Sequence, residues 1–417
     1  MKTSMDASSN VSSVDASVIT SIITHTVDEL TPKNLFNFNS PRQTIVGEGS
    51  ILKLGTLLQT LSVKHVLIVA DEVVYQKGLL ASALRCLARA NIAVTVFSGI
   101  EREPSSDVVE QGVAMLAQSK ADFVLGFGGG SAMDAAKAIA LLGSCNASLD
   151  ELTEPGFDQR RTIGLGAVPT TAGTGSEVTD ISVIMHADRS KKFIAKNLDL
   201  MPDLAVIDPT LMLGLPASVT AATGIDALTH AIEAYVAHGA NHLSRALAIS
   251  AIKVIPHALS IAVGDGKELS ARLEMAVASY SAGLSFSNSG LGLVHALSHQ
   301  VGAQYGVAHG VANGILLPHV MTFNALVCRR EYADIARALG ATNEGMNERQ
   351  QCEAGIESVR QLLSDIGLPN SFAEFGLAVE DFGELADATL QDICITTNPR
   401  RVTKTDIIQL LQQVANG

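Results

Sequence analysis

Tryptophan is absent from this 417-residue chain, and aromatic residues make up only 4 % of it. With so few rings and so many Ala, Leu, Ile and Val, aliphatic packing of helices on a sheet is favoured over a β-sandwich. Basic residues are also short: 29 Lys and Arg stand against 42 Asp and Glu, for a net charge of −13. This balance argues against a nucleic-acid partner, which would need basic patches. No Lys/Arg-rich amphipathic stretch offers itself to an anionic membrane surface. The five cysteines (Cys86, Cys145, Cys328, Cys352 and Cys394) are scattered, with no CxxC pair. They read as reduced thiols in the cytoplasm. An apolar run of about 18 residues without polar breaks is lacking, so no membrane span is expected. Residues 1–33 are Ser-rich around a modest apolar patch at 18–23. Without a basic region and a continuous apolar core they do not read as a secretory signal, and are expected to be an extension. Small-molecule chemistry is the class that remains.

What is present fits a large core: 47 % of the residues are hydrophobic and 17 % charged. The length exceeds the size at which a single core usually stops growing, so two domains are expected. Short β-branched runs at 65–70 (HVLIVA), 93–98 (AVTVFS), 121–126 (ADFVLG), 164–169 (GLGAVP) and 204–208 (LAVID) alternate with helical stretches such as 81–90 and 107–119. Such alternation implies βαβ units, a mostly parallel sheet and ligands at the carboxyl ends of its strands. Beyond the turn-rich segment 208–216 (DPTLMLGLP) the pattern becomes helical, broken by Gly, Pro and Asn. The expected fold is an α/β Rossmann-like dinucleotide-binding domain at 34–212, followed by an all-helical metal-binding domain at 213–417.

Residues 126–140 (GFGGGSAMDAAKAIA) run from a strand through glycines into a helix. Glycines let backbone N–H groups approach a pyrophosphate closely, and the helix N-terminus favours its charge. Gly128, Gly129, Gly130, Ser131 and Asp134 are therefore cofactor candidates. Asp71 ends a strand, where its carboxylate can accept from ribose hydroxyls and repel a 2′-phosphate, favouring NAD over NADP; capping a helix is the plainer use. In 168–179 (VPTTAGTGSEVT), Thr170, Thr171, Thr174 and Ser176 offer small hydroxyls to a ligand, and Lys192 could neutralise a phosphate.

Residues 224–235 (GIDALTHAIEAY) place Asp226 and His230 four apart, on one helix face. Residues 290–309 add His295 and His299, again four apart, and His309 beyond a Gly-containing loop. Neutral imidazoles with one carboxylate suit Fe²⁺ or Zn²⁺. A zinc-protease reading fails, because Ala296 follows His295 where HEXXH requires glutamate. Five groups compete for about four positions, and spacing alone leaves open which histidine stands aside.

The segments GGGSAMDAAK, VPTTAGTGSEVT, VIDPTLMLGLPASVTAATGIDALTHAIEAY and GLGLVHALSHQVGAQYGVAHGVANGILLPH resemble the iron-containing (group III) alcohol dehydrogenases. The resemblance runs from about residue 35 to the end. It implies metal ligands at Asp226, His230, His295 and His309, with His299 close by as a catalytic histidine on a proton path. It implies a substrate pocket bordered by Phe286 and Cys394, and an NAD preference linked to Asp71. Two positions depart from the family pattern: Glu103 stands where many relatives carry asparagine, and Ile181 where some are polar. The implied activity is reversible, NAD-linked oxidation of a primary alcohol or diol to the aldehyde, by a homodimer or larger assembly. The rivals are a hydroxyacid–oxoacid transhydrogenase on the same scaffold and a non-catalytic assembly unit; the filled ligand positions argue against the latter.

Overall fold

Apolar residues in HVLIVAD and FVLGFG are buried on both sides of the chain, so these strands form the middle of a sheet covered on both faces. The computed structural model describes residues 35–415 except 101–103, 146, 155 and 188–191. The extension expected over 1–33 lies outside these residues. The strands are β1 (Gln43–Val46), β2 (His65–Asp71), β3 (Ala93–Ile100), β4 (Phe123–Gly128), β5 (Gly164–Pro169), β6 (Ile181–Met185), β7 (Lys192–Lys196) and β8 (Leu204–Ile207). Six of them form one sheet in the order β1-β8-β5-β4-β2-β3, with every neighbouring pair parallel. Alternate residues feed opposite layers: Leu67, Val69 and Val124 pack into one core cluster, and Val66, Ile68 and Leu125 into the other.

The chain passes from β2 to β3 on one side and returns to β4 on the other. That reversal opens a crevice at the carboxyl ends of β2 and β4. Helices α1 (Leu54–Thr60), α2 (Glu72–Gln76), α3 (Ala81–Arg89), α4 (Ser106–Ser119), α5 (Gly130–Leu142) and α6 (Leu149–Thr153) connect the strands. α5 is buried over almost its whole length, and it lies tight on β4. A Cβ at Gly126 would stand 2.9 Å from the Met133 Cα, so this approach requires glycine.

From Ala217 onward the described elements are helical, including α7 (Ala217–Val236), α8 (His242–Gly264), α9 (Leu269–Ser287), α10 (Leu293–Tyr305) and α11 (His309–Asn324). Phe38–Gly417 clusters as one compact unit. By length and composition alone α8 could cross a membrane, unlike the sequence expectation, yet Arg245 and Lys253 interrupt it and its buried face packs against α7 and α9.

The antiparallel β6–β7 hairpin is not foreseen from sequence. Its strands are five residues each, too short a period to stand out. The hairpin lies against α5 and supplies one wall of the site.

Candidate active site

α7 begins after Pro216 and is buried all round from Gly224 to Val236, within the helical core. Asp226, His230 and Glu233 occupy one face of it, at steps of four and three residues. α10 carries His295 and His299 the same way. It ends at Gly306 in the left-handed conformation (φ 65°), and the turn that follows brings His309 back as the first residue of α11. The result is a convergence on one atom. Asp226 Oδ1 lies 3.8 Å from His230 Nε2, 3.7 Å from His295 Nε2 and 3.5 Å from His309 Nε2. A tetrahedral ion with bonds of about 2.1 Å has ligand–ligand edges of roughly 3.4 Å; the ligand atoms of Asp226, His230 and His295 all lie within 4.8 Å of one another, and His309 joins them through Asp226.

Each ring is oriented from behind. His230 Nδ1 donates to Gly173 O (3.2 Å), and His295 Nδ1 to Glu233 Oε2 (2.6 Å). The other oxygen of Glu233 accepts from Val294 N (2.7 Å), so one carboxylate caps α10 and aims His295. Gly292 permits this, since a Cβ there would meet Glu233 Oε1 at 2.9 Å. Asn313, one turn beyond His309, donates from Nδ2 to Asp226 Oδ1 (2.8 Å).

The electrostatics favour a cation. Burial pushes the His230 imidazole down to about 4, keeping it neutral with a free lone pair. Burial opposes ionisation of Asp226, but the His230 and His309 imidazoles outweigh it and hold the carboxyl well below its ordinary value. For His295 burial also lowers, yet Asp226 and Glu233 prevail and raise it to about 9. The two buried carboxylates thus favour positive charge at the His295 ring between them.

His299 stands beside the cluster. Its ring stacks on His309 (5.4 Å between centroids), and its Nδ1 donates to Asp392 Oδ2 (2.8 Å). Asp392 Oδ1 accepts from Cys394 N (2.9 Å) and caps the turn that carries Cys394. Phe286 stacks on His230 at 4.3 Å. Phe286, Cys394, Leu291, Ile181 and Ile393 line the same cleft as the four ligand candidates.

The glycine turn borders this cleft through Gly130 and Ser131. Side chains at the turn would collide: a Cβ on Gly128 falls 2.6 Å from Asp71 Oδ2, and one on Gly130 falls 2.9 Å from Thr174 Cγ2. Thr171 Oγ1, the side-chain atom nearest Gly129, is buried without a hydrogen-bond partner. An orphaned hydroxyl beside bare backbone at a helix N-terminus fits a phosphate ligand.

The remaining candidates divide. Asp71 does cap α2, its Oδ1 accepting from Val74 N (2.8 Å), while Oδ2 stays over Gly128. Thr174 and Ser176 line the cleft, whereas Thr170 is buried with its N–H on Gly128 O and is not among the lining residues. Asp134 also lines it, but both carboxylate oxygens are taken, one by Ser176 Oγ and one by Val183 N. Its committed oxygens suit bracing better than the cofactor contact expected from sequence. Glu103 and the Lys192 side chain lie outside the described residues. Sequence reasoning misses Glu233, Asn313 and Asp392. Glu233 and Asn313 follow ligand candidates at helical spacing, a legible signal; Asp392 reaches His299 from 93 residues away.

Two family models cover the chain: iron-containing alcohol dehydrogenase over residues 41–209, and the C-terminal part of the Fe-containing alcohol dehydrogenase family over 220–415. The chain belongs to the iron-containing alcohol dehydrogenase family. It is an alcohol dehydrogenase. It is 41 % identical over 384 residues to the probable alcohol dehydrogenase EutG of Escherichia coli (strain K12), covering 92 % of this chain and 95 % of that one. It is 39 % identical to the lactaldehyde reductase of the same organism, over 87 % of this chain and 95 % of the relative. Among solved structures, that of a 1,3-propanediol oxidoreductase superposes with a TM-score of 0.89 at 35 % identity, over 91 % of this chain and 100 % of the other. The parallel sheet and helical half of this alcohol dehydrogenase are those of its family.

Two consequences can be measured. Glu233→Gln removes the charge behind His295 while keeping its shape; metal affinity should fall roughly 10–100-fold in a chelator competition, and an unchanged affinity would show that Glu233 only caps α10. Glu177, beside Ser176, is buried and burial raises its carboxyl from 4.5 to about 7. Between those values the folded state holds more protons than the unfolded chain, so stability falls as pH rises through the window. Glu177→Gln should therefore raise Tm at pH 8, by a free energy of at most about 3 kcal/mol, and have little effect near pH 4.5. A stabilisation that does not grow with pH would contradict this origin.

Proposed function

We propose that this alcohol dehydrogenase binds Fe²⁺ through Asp226, His230, His295 and His309, and oxidises a neutral primary alcohol with NAD. The observation that carries this reading is the meeting of those four side chains in one cleft with Gly130 and Ser131 of the glycine turn. Bound there, a divalent cation supplies Lewis acidity toward the alcohol oxygen. The protein's own groups do the rest. The backbone of Gly128, Gly129 and Gly130 with Thr171 Oγ1 holds the cofactor's phosphates at the start of α5, and Asp71 Oδ2 faces the ribose. His299 gives its Nδ1 proton to the hydrogen bond with Asp392, which leaves Nε2 to pass the alcohol's proton outward. Phe286, Leu291, Ile181 and Ile393 keep water from the reacting carbon.

Charge and polarity in the cleft bear on the substrate. Among its described lining residues there is no Lys or Arg, while Asp134 and Asp226 are both present. A hydroxyacid would enter without a fixed counter-charge, which favours the neutral alcohol over the transhydrogenase reading. The wall of Ile181, Leu291, Phe286 and Ile393 matches an unbranched aliphatic tail better than a second hydroxyl, for which these side chains offer no partner. An NAD-dependent methanol dehydrogenase of Bacillus methanolicus is 37 % identical over 90 % of this chain and 99 % of that protein, which supports the choice of cofactor. The free state of the described cysteines favours the cytoplasm, and a homodimer is the assembly we infer from the family resemblance.

His295→Ala should lose bound iron and alcohol oxidation together, as read by metal analysis and NADH formation; full turnover by the metal-free variant would sink the assignment. Asp71→Ser keeps a capping side chain but removes the charge. It should shift the NAD/NADP ratio of kcat/KM toward NADP by about tenfold or more, and an unchanged ratio would leave Asp71 as a cap alone.

A further inference from the structure

Lys137 has no solvent exposure and is not among the cleft-lining residues. It sits on α5, one turn after Asp134, with its Nζ 3.6 Å from Asp134 Oδ1. That Nζ donates to Thr179 Oγ1 (2.8 Å) and to the carbonyl of Ile181 (2.7 Å). Asp134 adds three ties to the same segment: its carboxylate accepts from Ser176 Oγ (2.5 Å) and Val183 N (3.0 Å), and its carbonyl from Ser182 Oγ (2.8 Å). Thr179, Ile181 and Val183 all line the cleft. One turn of the helix that starts at the glycine turn therefore fixes the strand that faces the substrate.

A buried ammonium is costly, and an apolar side chain of similar length would fill the space without that cost. What the ammonium adds is direction: its two bonds fix where the β6 backbone lies, whereas aliphatic packing would tolerate sliding. Burial pushes Lys137 down while the carboxylates of Asp134, Asp180 and Glu177 act against it.

We propose that Lys137, with Asp134 beside it, is a positioning pair that sets the depth of the Ile181 wall and so determines how well the enzyme discriminates alcohols by chain length. The inference rests on the reading above that this wall meets the alcohol's carbon chain. Hydride transfer itself needs neither side chain to touch the reacting atoms. Displacing the wall by even part of an ångström changes the fit of each methylene, which in an apolar pocket is worth about 10–200-fold in kcat/KM.

The test compares metal-loaded wild type, Lys137→Met and Ser182→Ala on ethanol and n-butanol, with iron content measured alongside. Ser182→Ala cuts a tie to the brace without leaving any charge unpaired, so it decides the matter if Lys137→Met does not fold. The wild type should prefer n-butanol. In the variants that preference should shrink by about fivefold or more, because the longer alcohol binds more weakly and its KM rises, with iron content and the KM for NAD unchanged. A purely structural role would lower both substrates' rates equally. Variants that fold and discriminate like the wild type overturn the positioning role alone; a wild type indifferent to chain length overturns the wall reading and this inference with it.

Discussion

One carboxylate oxygen organises the catalytic half of this protein. Asp226 Oδ1 is the common neighbour of imidazole nitrogens from α7, α10 and the start of α11, and it also accepts from Asn313. Buried carboxylates are tolerated only where positive charge or hydrogen bonds compensate them. The helical packing around Asp226 supplies that compensation from several elements at once. Glu233 extends the same logic outward, joining the first turn of α10 to the ring of His295. A divalent cation bound there would complete the balance and tie the stability of this region to the group that gives it chemistry.

The α/β half meets that centre along two routes. The loop after β5 delivers the Gly173 carbonyl to His230, so ring orientation depends on a segment that also carries Thr171 and Thr174. α5 delivers Asp134 and Lys137 to the hairpin strand β6. The glycine-turn helix, the Asp226 cluster and the hairpin strand are thus tied to one another by hydrogen bonds. A single displaced segment would be felt at all three.

Much of this is legible in the chain. Runs such as HVLIVA and ADFVLG announce buried parallel strands. The pairs Asp226/His230 and His295/His299 declare a helix face by their spacing, and the glycines of 126–130 mark the turn. What sequence does not settle has physical causes. Spacing offers four histidines for three places; the structure brings His230, His295 and His309 within 3.8 Å of Asp226 and holds His299 on Asp392, a contact across 93 positions that no local period reveals. The β6–β7 hairpin escapes notice because five-residue strands carry too little periodicity. Asp71 reads as either cap or ribose partner; one of its oxygens serves the cap and the other stays over Gly128. Asp134 looks like a cofactor group because of where it stands in the motif, whereas its oxygens are occupied by Ser176 and Val183.

We propose that alcohol oxidation depends on a cation held by the Asp226 cluster. This dependence is tested most directly by stripping the protein with a chelator and titrating Fe²⁺ back anaerobically, following bound iron and NADH formation together. Activity should rise in proportion to bound iron and stop rising at a single ion per chain. Full alcohol oxidation by the stripped protein, or activity that does not track the bound ion, would contradict it.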